Sequence, residues 1–85
     1  MSKSKVVTRR QCRAARGLLG WSQERLAEAA GVSAPTVTNF ENGVTTPMRN
    51  NLLALRTALE NAGVVLIPEN GGGPGVRLKE PIDDD

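Results

Sequence analysis

The sequence predicts a mainly α domain of four short helices followed by a C-terminal β-hairpin. Three observations carry that expectation. Apolar residues recur at three- and four-residue spacing as far as Ala62, the period of helices with one buried face. Thr8, Gly20, Ser22, Gly31, Ser33, Gly43 and Gly63 punctuate the pattern with residue types that start and stop helices. Beyond Gly63, the run Val64–Ile67 and the alternation Val76–Lys79 are strand-like and enclose a turn-rich segment.

In chain order, residues 1–7 read as a flexible basic arm, in which Lys3 and Lys5 either brush a polyanion or simply keep the terminus in solution. Thr8 followed by Gln11 is a capping-box pair that starts a first helix near Arg9. Cys12, Ala15 and Leu19 share its inner face, so Cys12 reads as a small core residue rather than a reactive thiol. Gly20 ends this helix and Trp21 turns into the core. Ser22 is an N-cap, because its hydroxyl can accept from an unpaired amide of the next turn. Leu26, Ala27 and Ala30 form the stripe of a second helix that stops at Gly31. Ser33 caps a third helix with Pro35 in its first turn, where a missing N–H costs nothing. Val37 and Phe40 form its inner face and Gly43 ends it. Helix, glycine turn, helix is the unit whose second member can lie in a DNA major groove.

Thr46 and Pro47 supply an N-cap and first position for a fourth helix, and Met48, Leu52, Leu55, Leu59 and Ala62 follow at helical spacing. Leu53 widens the stripe, Asn50, Asn51, Thr57, Glu60 and Asn61 form the wet side, and Gly63 is the stop. Residues 8–63 thus make one helical domain, and residues 64–79 a hairpin with a long loop over Glu69–Gly75. A lone hairpin is marginal in water, and one helical layer does not cover a strand that is apolar on both faces. Val64, Val65, Leu66, Ile67, Val76 and Leu78 are therefore the expected dimerisation residues. A hairpin folded over its own fourth helix is the competing arrangement. Residues 80–85 read as a disordered acidic tail.

Composition excludes several classes of function. A chain of 85 residues is one domain with a small appendage. It has no histidine, the commonest general base and metal ligand, and a single cysteine, so no intrachain disulfide forms. The glycine run Gly71–Gly75 lacks the Lys and Ser/Thr of a phosphate loop, and Asp83–Asp85 are adjacent carboxylates without partner ligands. No cofactor, metal or enzymatic activity is expected. The longest aliphatic run, Val64–Ile67, is too short to span a bilayer, and no apolar segment follows the basic N-terminus as in a signal peptide. A cytoplasmic protein is expected. The net charge is only +2, but residues 1–25 carry Lys3, Lys5, Arg9, Arg10, Arg13, Arg16 and Arg25 against Glu24 alone. Such a front end suits a polyanion partner, although a solvated charged face looks the same by charge alone.

Trp21-Ser22-Gln23, Leu26-Ala27, Gly31-Val32-Ser33, Val37, Phe40-Glu41-Asn42-Gly43 and Pro47 resemble the lambda-repressor-like (Cro/XRE-type) helix-turn-helix transcriptional regulators. The resemblance spans residues 8–63. It implies a bundle of four or five helices in which the fourth braces the reader; Pro68 and the glycines leave no room for a fifth here. It also implies that Gln23 contacts the DNA backbone and can touch a base. Asn42 matches a phosphate-binding position, and equally serves as a turn former. Ala34 and Pro35 fall at base-reading positions. Arg16 and Glu41 match a salt-bridged pair beneath the motif, which takes Arg16 out of the DNA contacts.

Read by their own chemistry, the candidate DNA contacts are Gln23, Ser33, Ala34, Pro35, Thr36, Thr38, Asn39, Asn42 and Arg49. Gln23 stands at a helix N-terminus, where free amides favour a phosphate. Ser33 and Thr36 reach phosphate or a base edge through hydroxyls, and Thr38 lies further round the helix. Ala34 and Pro35 touch a thymine methyl or only shape the helix start. Asn39 is the best directional reader, since Asn pairs with adenine N6 and N7. The expected function is a sequence-specific DNA-binding regulator, a homodimeric repressor acting on an inverted repeat in the major groove of double-stranded DNA. Two alternatives stand beside it: an antitoxin whose hairpin binds a protein partner, and an anti-activator that keeps the fold without binding DNA.

Overall fold

The computed structural model describes residues 6–81. The expectations for Lys3, Lys5 and Asp83–Asp85 lie outside the described residues. The elements are α1 (Arg9–Leu19), α2 (Gln23–Ala30), α3 (Ala34–Glu41), α4 (Arg49–Asn61), β1 (Val64–Ile67) and β2 (Gly75–Leu78).

Each helix of the first three starts where a hydroxyl can cap it. At α1 the box is complete: the Gln11 amide donates to Thr8 Oγ1 at 3.0 Å, and the Thr8 amide to Gln11 Oε1 at 3.0 Å. Ser22 accepts from the Arg25 amide and Ser33 from the Thr36 amide. Gly31 closes α2 with φ of 74°, a left-handed conformation that disfavours a Cβ, and Val32 then donates back to the Ala27 carbonyl at 3.0 Å. These caps orient the inner faces onto one core. Leu26, Val37, Leu55 and Leu59 are fully buried, with Cys12 and Ala15 from α1 and Phe40 from α3. Trp21 and Leu19 pack against that core from its margin.

Two expectations about α4 are corrected. The helix begins at Arg49 with Met48 as N-cap, not at Thr46–Pro47. Residues 45–48 stay non-helical in the connection from α3, where the restriction on a residue preceding proline keeps Thr46 out of the helical region. Met48 therefore points to solvent at 75% exposure instead of heading the inner stripe. The stripe runs through Leu55, Ala58 and Leu59. Leu53, about 100° round the helix from Leu52, remains half out in solvent.

Val6 and Val7, expected within the flexible arm of residues 1–7, belong to the folded part instead. Val7 is buried in the core and Val6 packs beside it. Two β-branched residues gain more from the apolar surface than from water, and Arg56 Nη1 holds the Val6 carbonyl at 2.6 Å.

β1 and β2 pair antiparallel in the register Val64↔Leu78, Val65↔Arg77, Leu66↔Val76 and Ile67↔Gly75. Opposed residues share a face, so Val64, Leu66, Val76 and Leu78 form one face and Val65, Ile67 and Arg77 the other. The first face lies on α1 and α4 of the same chain, with Val64 and Leu66 buried. Of the six expected dimerisation residues, these four are occupied by the chain's own core and only Val65 and Ile67 remain on the open face. A polar tie completes the seat. Gln11 Nε2 donates to the Ile67 carbonyl at 3.1 Å and the Gly75 carbonyl at 2.9 Å, so one buried side chain caps α1 and clamps the loop end of the hairpin.

Candidate nucleic-acid interface

The relation of α2 to α3 is set from below by Glu41, the last residue of α3. Its side chain is 1% exposed, a position in which a carboxylate persists only if fully partnered. Arg16 supplies a two-pronged pair, Nε to Oε2 at 2.8 Å and Nη2 to Oε1 at 2.6 Å. Cys12 Sγ donates to Oε2 at 3.2 Å and Gln23 Nε2 to Oε1 at 3.0 Å. The third arm of Arg16, Nη1, reaches the Trp21 carbonyl at 2.9 Å. The pair implied by the family resemblance is thus present, and it joins α1, the α1–α2 turn, α2 and α3. Burial alone would raise the Glu41 carboxyl, but the bonds from Arg16, Gln23 and Cys12 outweigh it and hold the group below the ordinary carboxylate range. Burial, then the bond to Glu41, pushes the Cys12 thiol far up, so it stays neutral.

Gln23 is corrected by this geometry. The sequence suggests an exposed amide that adds little to stability. Instead Gln23 is half-buried, its Nε2 spent on Glu41 and its Oε1 accepting from Thr38 Oγ1 at 2.7 Å. Thr38 accordingly faces back toward the start of α2 rather than outward. The signal for this was faint: a Gln at the first turn of one helix and a Thr in the next have no spacing rule that links them.

The remaining candidates divide by exposure. Ser33 and Pro35 are exposed at the start of α3, Thr36 and Asn39 are half-exposed, and Ala34 is partly buried against the core. Ser33 Oγ and Thr36 Oγ1 lie 2.7 Å apart in a mutual hydrogen bond. The Asn39 side chain makes no hydrogen bond among the described residues, while its carbonyl accepts from Val44 and Thr45 and so shapes the loop after α3. Asn42 is the exposed C-cap of α3. Arg49 is exposed at the first position of α4, whose N-cap Met48 contributes no side-chain bond.

Two cations that sequence reasoning left unassigned make defined contacts of their own. Arg25 stacks over the Trp21 ring, 4.7 Å from its centroid, a contact worth about 0.5–1 kcal/mol at an exposed site. Their i, i+4 spacing was the available signal. Arg9 lies against the turn at Gly43, a long-range contact with no sequence signature. Among the described residues no group of His, Cys, Asp or Glu could hold a metal ion, and no helix is long and apolar enough to cross a membrane.

No curated protein matches the chain. The family model described as helix-turn-helix matches residues 13–61, which runs from the middle of α1 to the end of α4 and takes in the whole reader with its Arg16–Glu41 brace. That stretch is more than half of the chain, and the chain therefore belongs to the Cro/XRE-type helix-turn-helix family of DNA-binding transcription regulators.

Proposed function

We propose that the chain is a sequence-specific cytoplasmic repressor that binds an inverted-repeat operator as a homodimer. The observation that carries this reading is the exposed start of α3, with Ser33, Pro35, Thr36 and Asn39 outward and the helix braced through Glu41. A good bidentate base contact discriminates by about 1–3 kcal/mol. Side chains this short supply little of that from one helix, so two readers in one dimer are needed for useful selectivity. Their half-sites then lie about one helical turn apart. Val65 and Ile67, apolar on the open face of the hairpin, support a contact between copies there. Occupancy of an operator that overlaps a promoter would repress by exclusion.

The test is a gel shift and footprint on the DNA upstream of the protein's own gene, with sedimentation of the free protein. Removing the whole hairpin is unsuitable, because Val64 and Leu66 belong to the core; Ile67→Asp leaves that face intact. The expected result is a protected inverted repeat, a dimer, and an Ile67→Asp chain that is monomeric and binds more weakly. Equal affinity for upstream and random DNA overturns sequence-specific repression. A dimeric Ile67→Asp chain moves the interface to the helices. A monomer that ignores DNA leaves the open hairpin face to a protein partner, the antitoxin or anti-activator reading.

A further inference from the structure

We infer that Arg9 is a DNA-positioning residue, which with Arg49 grips a backbone phosphate in the hollow between the start of α1 and the start of α4. The inference rests on the DNA-binding reading above and extends it to a side chain outside the helix-turn-helix unit.

Arg9 is the first residue of α1, yet its guanidinium end reaches the turn that follows α3. A Cβ built on Gly43 would stand 3.5 Å from Arg9 Nε and 3.6 Å from Cζ. Gly43, at φ of +77°, has no side chain to hold the guanidinium away from the backbone. Arg9 and Arg49 line one cavity of about 430 Å³, with Thr8 and Thr46 as further polar lining and Phe40 and Leu52 as apolar lining.

Among the described residues, no carboxylate compensates the charges in that hollow. Arg16, Arg25 and Arg56 each pair with a glutamate. Among the described residues, Arg9 and Arg49 pair with no carboxylate and make no side-chain hydrogen bond. An anion seated in a hollow lined by two cations is attracted to both. Guanidinium groups match the oxygens of a phosphate in geometry as well as charge. Phe40 of α3 lines the hollow and Arg9 reaches Gly43 just beyond that helix, so a phosphate there belongs to the strand that passes the reader's C-terminal end. It is remote from the exposed first turn of α3 and therefore sets register and affinity rather than sequence preference. A duplex is favoured over a free anion, because each neutralised phosphate also releases condensed counterions.

The full chain and its Arg9→Gln, Arg49→Gln and Arg10→Gln variants are titrated against a labelled random duplex and the upstream duplex across a salt series. Arg10 is the control, an exposed neighbour that does not line this hollow; it lines a second hollow beside Pro74 and Gly75, which Arg9 borders as well. Arg9→Gln and Arg49→Gln are each expected to reduce the slope of log K against log salt by about 0.9, equally on both duplexes. Arg10→Gln is expected to change it less. An unchanged slope in Arg9→Gln, or an equal loss in Arg10→Gln, overturns the assignment. Failure of the unmodified chain to bind either duplex overturns the DNA-binding reading beneath it. Arginine modification by phenylglyoxal, read by mass spectrometry on the unaltered chain, is independent of any folding effect of the variants. Duplex is expected to protect Arg9 and Arg49 but not Arg10, and undiminished modification of Arg9 overturns the proposal.

Discussion

Beneath the reader, Glu41 accepts four hydrogen bonds from Cys12, Arg16 and Gln23 at a position almost without solvent. On a neighbouring side of α1, the hairpin sits through Val64, Leu66, Val76 and Leu78, with Gln11 as its polar tie. The first region is held by directions and the second by area. A directional network fixes how α3 stands against α2, which a major-groove reader requires, but it fails when one member is removed because the rest are left buried and unpaired. An apolar seat tolerates exchanges that conserve volume and fixes orientation less sharply. The molecule places the exacting kind of contact under the surface proposed to meet DNA.

The largest effect that would test this contrast is Arg16→Ala, expected to cost roughly 3–5 kcal/mol in denaturant unfolding because Glu41 then keeps a buried charge without its main partner. A loss of only a few tenths would mean that the network bears no load. Next is the hairpin seat: Leu66→Ala is expected to lose about 2–5 kcal/mol, whereas Leu66→Met loses less than about 1.5 kcal/mol. Equal losses would show a seat as exacting as the network. Gln23→Ala is expected to cost about 1–3 kcal/mol, since Glu41 and Thr38 both lose a partner, and to weaken DNA binding as well. A melt that does not move would return Gln23 to the role of a free surface amide.

Acidity separates the two regions further. The Glu41 carboxyl lies below its ordinary value in the folded chain, so its contribution is present above the unfolded value of about 4.3 and is lost as pH falls toward the folded one. Stability measured from neutral pH downward should therefore decline more steeply in the unaltered chain than in Glu41→Gln. The Cys12 thiol is raised, so its contribution is complete below the unfolded thiol value of about 8.5 and fades as pH rises. The smallest expected effect is Ile67→Thr on the open hairpin face, within about 0.5 kcal/mol in thermal unfolding of dilute protein. At concentrations where the proposed dimer forms the loss is expected to grow, because this face is then buried between copies; a loss independent of concentration would place the interface elsewhere.

The helices were legible in the sequence because their signals are local. Thr8 with Gln11, Ser22, Ser33, Gly20 and Gly31 act within one turn of chain, and the spacing of Leu26, Val37, Leu55 and Leu59 reports burial without reference to any partner. The strands were legible for the same reason, the first at Val64–Ile67 as expected and the second one residue earlier, at Gly75–Leu78 instead of Val76–Lys79. Arg16 with Glu41 was reached by family resemblance, not by spacing, because 25 residues separate them. What only the tertiary structure decided are relations between distant residues: Gln11 clamping two hairpin carbonyls, Gln23 turned inward to Glu41, Val7 taken into the core, and Arg9 laid against Gly43. It also decided which face of the hairpin is spent on this chain, since a strand apolar on both sides carries no sign of the side a helix will cover. Periodicity encodes that a residue is buried, while the partner that buries it depends on where the folded chain brings the other elements.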